Sequence, residues 1–110
     1  MVKIFWKMEK TERIDLFKTA INTWGVEAQT KMLFEEIGEL LSALGKFDRN
    51  RVSSDDVITE IADVSIMVEQ MATLFGYEDF EKEKERKLQR LKKKLGKYEC
   101  QGIDRAVKTV

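Results

Sequence analysis

Two short words in this chain carry the same chemistry. Residues 36–40 read EIGEL and residues 60–64 read EIADV. Each sets an acid, an isoleucine, a small residue, a second acid and an aliphatic residue in one frame. A helix turns about 100° per residue, so Glu39 falls about 60° from Glu36, and Asp63 stands in the same relation to Glu60. The apolar stripe of each helix centres about 60–80° to the other side, which puts both acid pairs in equivalent positions beside a core stripe. Antiparallel packing, which a short connection favours, would make Glu36, Glu39, Glu60 and Asp63 face one another. Four converging carboxylates repel, so either some are protonated or a cation lies among them. Oxygen ligands without histidine or cysteine suit a hard ion, Mg²⁺ or Mn²⁺. Gly38 and Ala62, the small residues inside the words, would permit close helix approach. The competing interpretation is a repeat made by packing alone, with the acids as a solvated face.

The rest of the composition narrows the chemistry. The 110 residues suffice for one domain and contain no histidine, which removes imidazole catalysis, most catalytic zinc sites and the Glu-x-x-His di-iron pattern. The one cysteine, Cys100, cannot form an internal disulfide and reads as a reduced thiol in a polar tail. No apolar run approaches the roughly 20 residues of a membrane span, and the opening MVKIFWKMEK lacks the apolar stretch of a signal peptide. A cytoplasmic protein without a membrane partner is therefore expected. The net charge of zero is unevenly spread, at −4 over residues 1–77 and +4 over 78–110. An acidic body with a basic C-terminal segment invites a cation and a phosphate ligand, or a basic arm for nucleic acid.

The elements that must hold these residues are helices, and the absence of proline permits long ones. A first helix is expected from about Thr11 to Trp24, with Ile14, Phe17, Ile21 and Trp24 at helical spacing and Gly25 as its stop. A second runs from about Val26 to Phe47, with an apolar face of Leu33, Ile37, Leu40, Leu41 and Leu44. DRNRVSS is a loop, from which Ser53 or Ser54 caps a third helix with Asp55 and Asp56 in its first turn. That helix runs to about Phe75 and is apolar on most sides, which places it at the centre of an assembly. A fourth runs from about Tyr77 to Leu95 along a narrow seam of Leu88, Leu91 and Leu95. Residues from about 96 form a loose tail, and only Val2–Trp6 has any strand-like character. The reading is one all-α domain of four helices, core 11–95, whose surplus apolar surface calls for an oligomer.

EEIGEL at 35–40 and EIAD at 60–63, with 20 residues between Glu39 and Glu60, resemble the EExxE…ExxD signature of the all-α nucleoside triphosphate pyrophosphohydrolases. This MazG-like superfamily includes dimeric dUTPases and phosphoribosyl-ATP pyrophosphohydrolase, and the chain looks most like its short single-domain members over roughly residues 14–95. The resemblance implies a Mg²⁺-dependent enzyme, with Mn²⁺ as a substitute, that splits a nucleoside triphosphate into monophosphate and pyrophosphate by metal-activated water. Glu36, Glu39, Glu60 and Asp63 would be the metal ligands, and Glu35 would orient or activate a water, with Glu36 the inward member of the doublet. Lys87 and Arg90 match the spacing of the family's phosphate-binding Lys and Arg, although Leu88 stands where the family often has Asn. Lys46, seven residues after Glu39 on nearly the same stripe, is a second phosphate candidate. Gln29, two turns before Glu36, and Trp24 are candidates for the base, Trp24 also fitting a plain core position. A homo-oligomer, tetramer or dimer, is implied as well. The alternatives are a non-catalytic helical oligomerisation module and a nucleic-acid binder. Glu81, Glu83 and Glu85, interleaved in the fourth helix, argue against the latter.

Overall fold

The computed structural model describes residues 7–96, which form four α-helices and, among the described residues, no strand. They are α1 (Lys10–Trp24), α2 (Val26–Asp48), α3 (Ser54–Phe75) and α4 (Tyr77–Leu95). Val2–Trp6, Cys100 and the tail beyond Gly96 lie outside the described residues. No described helix is long and apolar enough to cross a membrane.

The helix ends follow from single residues. Gly25 and Gly76 are the one-residue junctions before α2 and α4, with φ of +92° and +134°, a region that side chains with a Cβ rarely enter. The Gly25 N–H closes α1 on the Ile21 carbonyl at 2.8 Å. α2 ends differently. Asn50 takes the left-handed conformation at φ +58° and donates its N–H to the Phe47 carbonyl at 2.9 Å, while Arg51 donates to the Lys46 carbonyl at 2.7 Å. These two bonds are a Schellman stop with Asn where glycine is more usual. α3 then opens on a reciprocal cap. The Asp56 N–H donates to Ser53 Oγ at 3.3 Å, and the Ser53 N–H and hydroxyl donate to Asp56 Oδ2 at 2.9 and 3.0 Å. Of the two candidate serines, Ser53 is therefore the cap.

The chain divides into two compact units, residues 7–75 and the segment from Gly76 onward. In the first, α1, α2 and α3 pack together, most extensively α2 with α3. Phe17 is the buried anchor of α1, and Arg13 Nε donates to Glu69 Oε1 at 3.2 Å to tie α1 to α3. α2 and α3 run antiparallel in a fixed register. Gln29 meets Gln70 and, seven residues on along α2 and seven back along α3, Glu36 meets Asp63. Gln29, Glu36 and Ala43 thus form one seven-residue stripe against α3, with Gln29 and Ala43 buried.

This seam corrects the expected core of α2. Ile37, Leu41 and Leu44 are exposed, Leu41 by 66%. Leu41 lies about 140° round the helix from Glu36, so turning the acid stripe to α3 turns Leu41 away, while Leu33 and Leu40, within about 60° of Glu36, are half-buried. Gly38 does not serve the helix contact either. A Cβ built there would meet nothing within 4 Å. α3 also leaves Ile58, Ile61, Ile66 and Phe75 in the open, as an element apolar on most sides must when few neighbours cover it. In the second unit, Tyr77 and Phe80 pack edge to face at 5.5 Å, while Leu88, Leu91 and Leu95 of the seam are exposed.

Ser53→Ala is expected to cost about 1 kcal/mol in urea unfolding through loss of the α3 cap. The bonds from the Ser53 backbone and hydroxyl hold the Asp56 carboxyl below its usual range. The cap's contribution is therefore full above the unfolded carboxyl value, about 3.9, and fades as pH falls through the lower folded value. The wild type should show this acid-side loss, and Ser53→Ala, which keeps the backbone bond and removes the hydroxyl bond, should lessen it without abolishing it.

Candidate metal centre

Three carboxylates meet on the α2–α3 seam. Glu36, Glu60 and Asp63 each place an oxygen so that all lie within 4.8 Å of one another. Their positions follow from the register: Glu36 is the middle of the α2 stripe, and Glu60 and Asp63 lie one turn apart on the facing side of α3. All three are half-buried. Glu39 stays exposed and outside this tight group. It still stands near enough to Glu36 and Glu60 to repel both and to share a carboxyl contact with them.

The electrostatics are unfavourable for three bare anions. Desolvation is the main effect holding the Glu36 carboxyl above the usual range, followed by repulsion from Glu39 and then Asp63. Glu60 is raised by the same causes in the same order, with Asp56 adding a further push. Glu36 Oε1 and Glu60 Oε1 are moreover buried without a hydrogen-bond partner. Buried acceptors are nearly always satisfied, so two orphans in one cluster are met either by protons on the raised carboxyls or by a positive partner. The donor set is all oxygen, which fits a hard divalent cation. A cation coordinated by Glu36, Glu60 and Asp63 would satisfy both orphans and cancel the repulsion. Exposed acid clusters are common without an ion, and here the half-burial and the orphaned oxygens set the group apart.

A cavity of about 520 Å³ opens beside the cluster, with Glu36 and Asp63 in its wall. Gln29, Met32, Met67 and Gln70 line it further along the seam, and Trp24 stands at its edge, 64% exposed. Trp24 is thus no core residue. Gly25 ends α1 immediately after it and leaves the ring beside the start of α2. Gln29 is buried and accepts a hydrogen bond at Oε1 from Gln70 Nε2.

The remaining candidates lie elsewhere. Glu35 is exposed on the solvent side of Glu36. Lys46 is exposed in the last turn of α2, about 10.5 Å of helix rise beyond Glu39. Lys87 and Arg90 belong to α4 in the second unit, where Lys87 pairs with Glu83 at 3.6 Å. Arg86 bonds to the same Glu83 and is the first reason its carboxyl falls to about 2. The sequence reading missed Gln70. Its signal was a mirror: Gln29 precedes Glu36 by seven residues, and Gln70 follows Asp63 by seven.

No family model, curated protein or solved structure matches the chain.

With both carboxyls raised, the metal-free fold holds more protons than the unfolded chain at pH values above the unfolded glutamate value of about 4.3. The contribution of these two groups to stability is therefore fullest below that value and falls as pH rises through the folded values. Thermal melts in EDTA should show this fall between acid and neutral pH. Glu60→Gln should raise the melting temperature at pH 7 in EDTA, and Mg²⁺ should raise it for the wild type but not for the variant.

Proposed function

We propose that the chain is a Mg²⁺-dependent nucleoside triphosphate pyrophosphohydrolase, acting as a homo-oligomer on (d)NTPs to give (d)NMP and pyrophosphate. The single observation that carries this reading is the half-buried cluster of Glu36, Glu60 and Asp63, one oxygen of each within 4.8 Å of the others, with Oε1 of Glu36 and of Glu60 buried and unpaired. A polyanionic triphosphate cannot approach such a cluster unless a cation lies between them. The resemblance of EEIGEL and EIAD to the MazG-like signature gives the reaction its class.

Glu36, Glu60 and Asp63 would hold the ion, with Glu39 completing the set. When bound, Mg²⁺ neutralises phosphate oxygens and lowers the pKa of an attacking water. Glu35 would orient that water and accept its proton, since the chain has no histidine to act as base. Lys46 is a candidate for the phosphates, as are Lys87 and Arg90 on the basic α4. With an ion held there, the pyrophosphate leaving group would need no acid to protonate it.

The exposed apolar residues support the oligomer. Phe34, Leu41, Ile58 and Phe75 are each more than half exposed, more apolar surface than a solitary small unit ordinarily presents. Gly38 adds to this. A glycine inside a helix costs about 0.5–1 kcal/mol relative to alanine, and nothing within the chain fills the space beside it. A helix of another copy would use that space.

Pyrophosphate release from a panel of NTPs and dNTPs, with and without Mg²⁺, tests the reading and identifies the preferred base and sugar. Glu36→Gln and Glu60→Gln should each lower release by about 100-fold or more, the rate equivalent of ~3 kcal/mol of lost charge stabilisation. Absence of turnover, together with no Mg²⁺ or Mn²⁺ binding by calorimetry, would sink it and leave the non-catalytic helical module. Sedimentation should show a dimer or tetramer, and Leu41→Glu should shift it toward monomer. A wild type that sediments as a monomer would remove the oligomer.

A further inference from the structure

We propose that Gln29 and Gln70 form a base-reading pair, and that the cavity they line takes a nucleobase presenting a hydrogen-bond donor beside an acceptor. This rests on the nucleotide reading above and names the residues that would recognise the base.

Gln29 and Gln70 are the two buried polar residues of the three-helix unit, at 5% and 4% exposure. They come from different helices and are joined by one hydrogen bond, from Gln70 Nε2 to Gln29 Oε1. Each primary amide offers two donors and an acceptor. One bond therefore leaves donors on both residues and the Gln70 oxygen without a partner among the described residues. Packing alone gives no reason for this, since an apolar pair of the same shape would carry no such groups. Both side chains line the cavity that also has Glu36 and Asp63 in its wall. A ligand there would meet the amides at one end and the carboxylate cluster at the other. At about 520 Å³ the cavity has the size of a small-molecule site.

Two features select the class of ligand. Trp24 stands at the cavity edge with most of its ring open, a surface on which a planar heterocycle stacks. Met32 and Met67 supply adaptable apolar wall. The amide pair then sets the edge. The Gln29 NH₂ and the Gln70 carbonyl together match an N–H beside a carbonyl, as in uracil. Rotating both amides by half a turn keeps a bond between them and exchanges donor for acceptor, which matches the ring nitrogen and amino group of cytosine. The pair therefore reads the presence of an adjacent donor and acceptor and is indifferent to their order. A base whose edge is blocked leaves the amides unmet and is rejected more strongly than one of the wrong size.

The test is nucleoside binding by calorimetry in EDTA, which needs neither metal nor turnover. Uridine and cytidine should bind within about 3-fold of each other, and N3-methyluridine at least about 10-fold more weakly than uridine. Gln70→Leu, checked for folding by circular dichroism, should lower uridine to the level of N3-methyluridine. Trp24→Ala, a change at an exposed position, should weaken uridine, cytidine and N3-methyluridine alike. Equal binding of uridine and N3-methyluridine by the wild type overturns the proposal without reliance on any variant, as does failure to bind any nucleoside. Discrimination between the nucleosides with no pyrophosphate release from any triphosphate overturns the hydrolase reading alone.

Discussion

Bringing Glu36, Glu60 and Asp63 within 4.8 Å of one another opposes folding, because anions lose hydration and gain repulsion as the helices close. The rest of the three-helix unit is arranged around that opposition. The α2–α3 seam places its largest electrostatic burden midway, with the buried amides of Gln29 and Gln70 at one end and Ala43 and Val57 buried toward the other. α1 braces α3 through Phe17 and the Arg13–Glu69 pair. Protons on the raised carboxyls relieve the repulsion in part, and a divalent cation held there would relieve it further and satisfy the orphaned oxygens. A unit built in this way couples its own stability to whatever occupies the cluster.

The same constraint accounts for the surface. A helix has one face to give to a neighbour, and α2 gives α3 the stripe of Gln29, Glu36 and Ala43. Leu41 and Leu44 are left over, and with Phe34 they lie open. The α2–α3 contact is thus built around a polar stripe, and several large apolar side chains of α2 stay exposed.

Much of the fold was legible in the residues. Gly25 and Gly76 fix the helix junctions because only glycine adopts their backbone geometry cheaply, and the ends of all the helices fall within a residue or two of where periodicity and caps put them. The approach of Glu36, Glu60 and Asp63 was legible too, since equal frames on antiparallel helices leave little freedom, but the expected fourth member, Glu39, stays exposed outside the tight group. The use of each face was not. Hydrophobicity named Leu41 and Leu44 as core, but the pairing partner decides which stripe turns inward, and no local rule weighs a carboxylate stripe against a leucine stripe. Gly38 was misjudged for the same reason, its small size mattering only toward whatever lies opposite. Gln70 escaped because an amide in an apolar helix shows its purpose only when Gln29 is found across the seam.

The connections hold one more consequence. α1 joins α2, and α3 joins α4, through single glycines, while α2 and α3 are separated by residues 49–53. Within the three-helix unit, chain length is therefore closely specified at Gly25 and loosely between α2 and α3. Extra residues between Asn50 and Ser53 would loop into solvent and leave both seam stripes in step. An insertion at Gly25 would detach Trp24 from the cavity edge. The hairpin tip is the natural place to graft a fluorophore or an affinity tag, and the place where lineages of this chain could lengthen without disturbing the carboxylates.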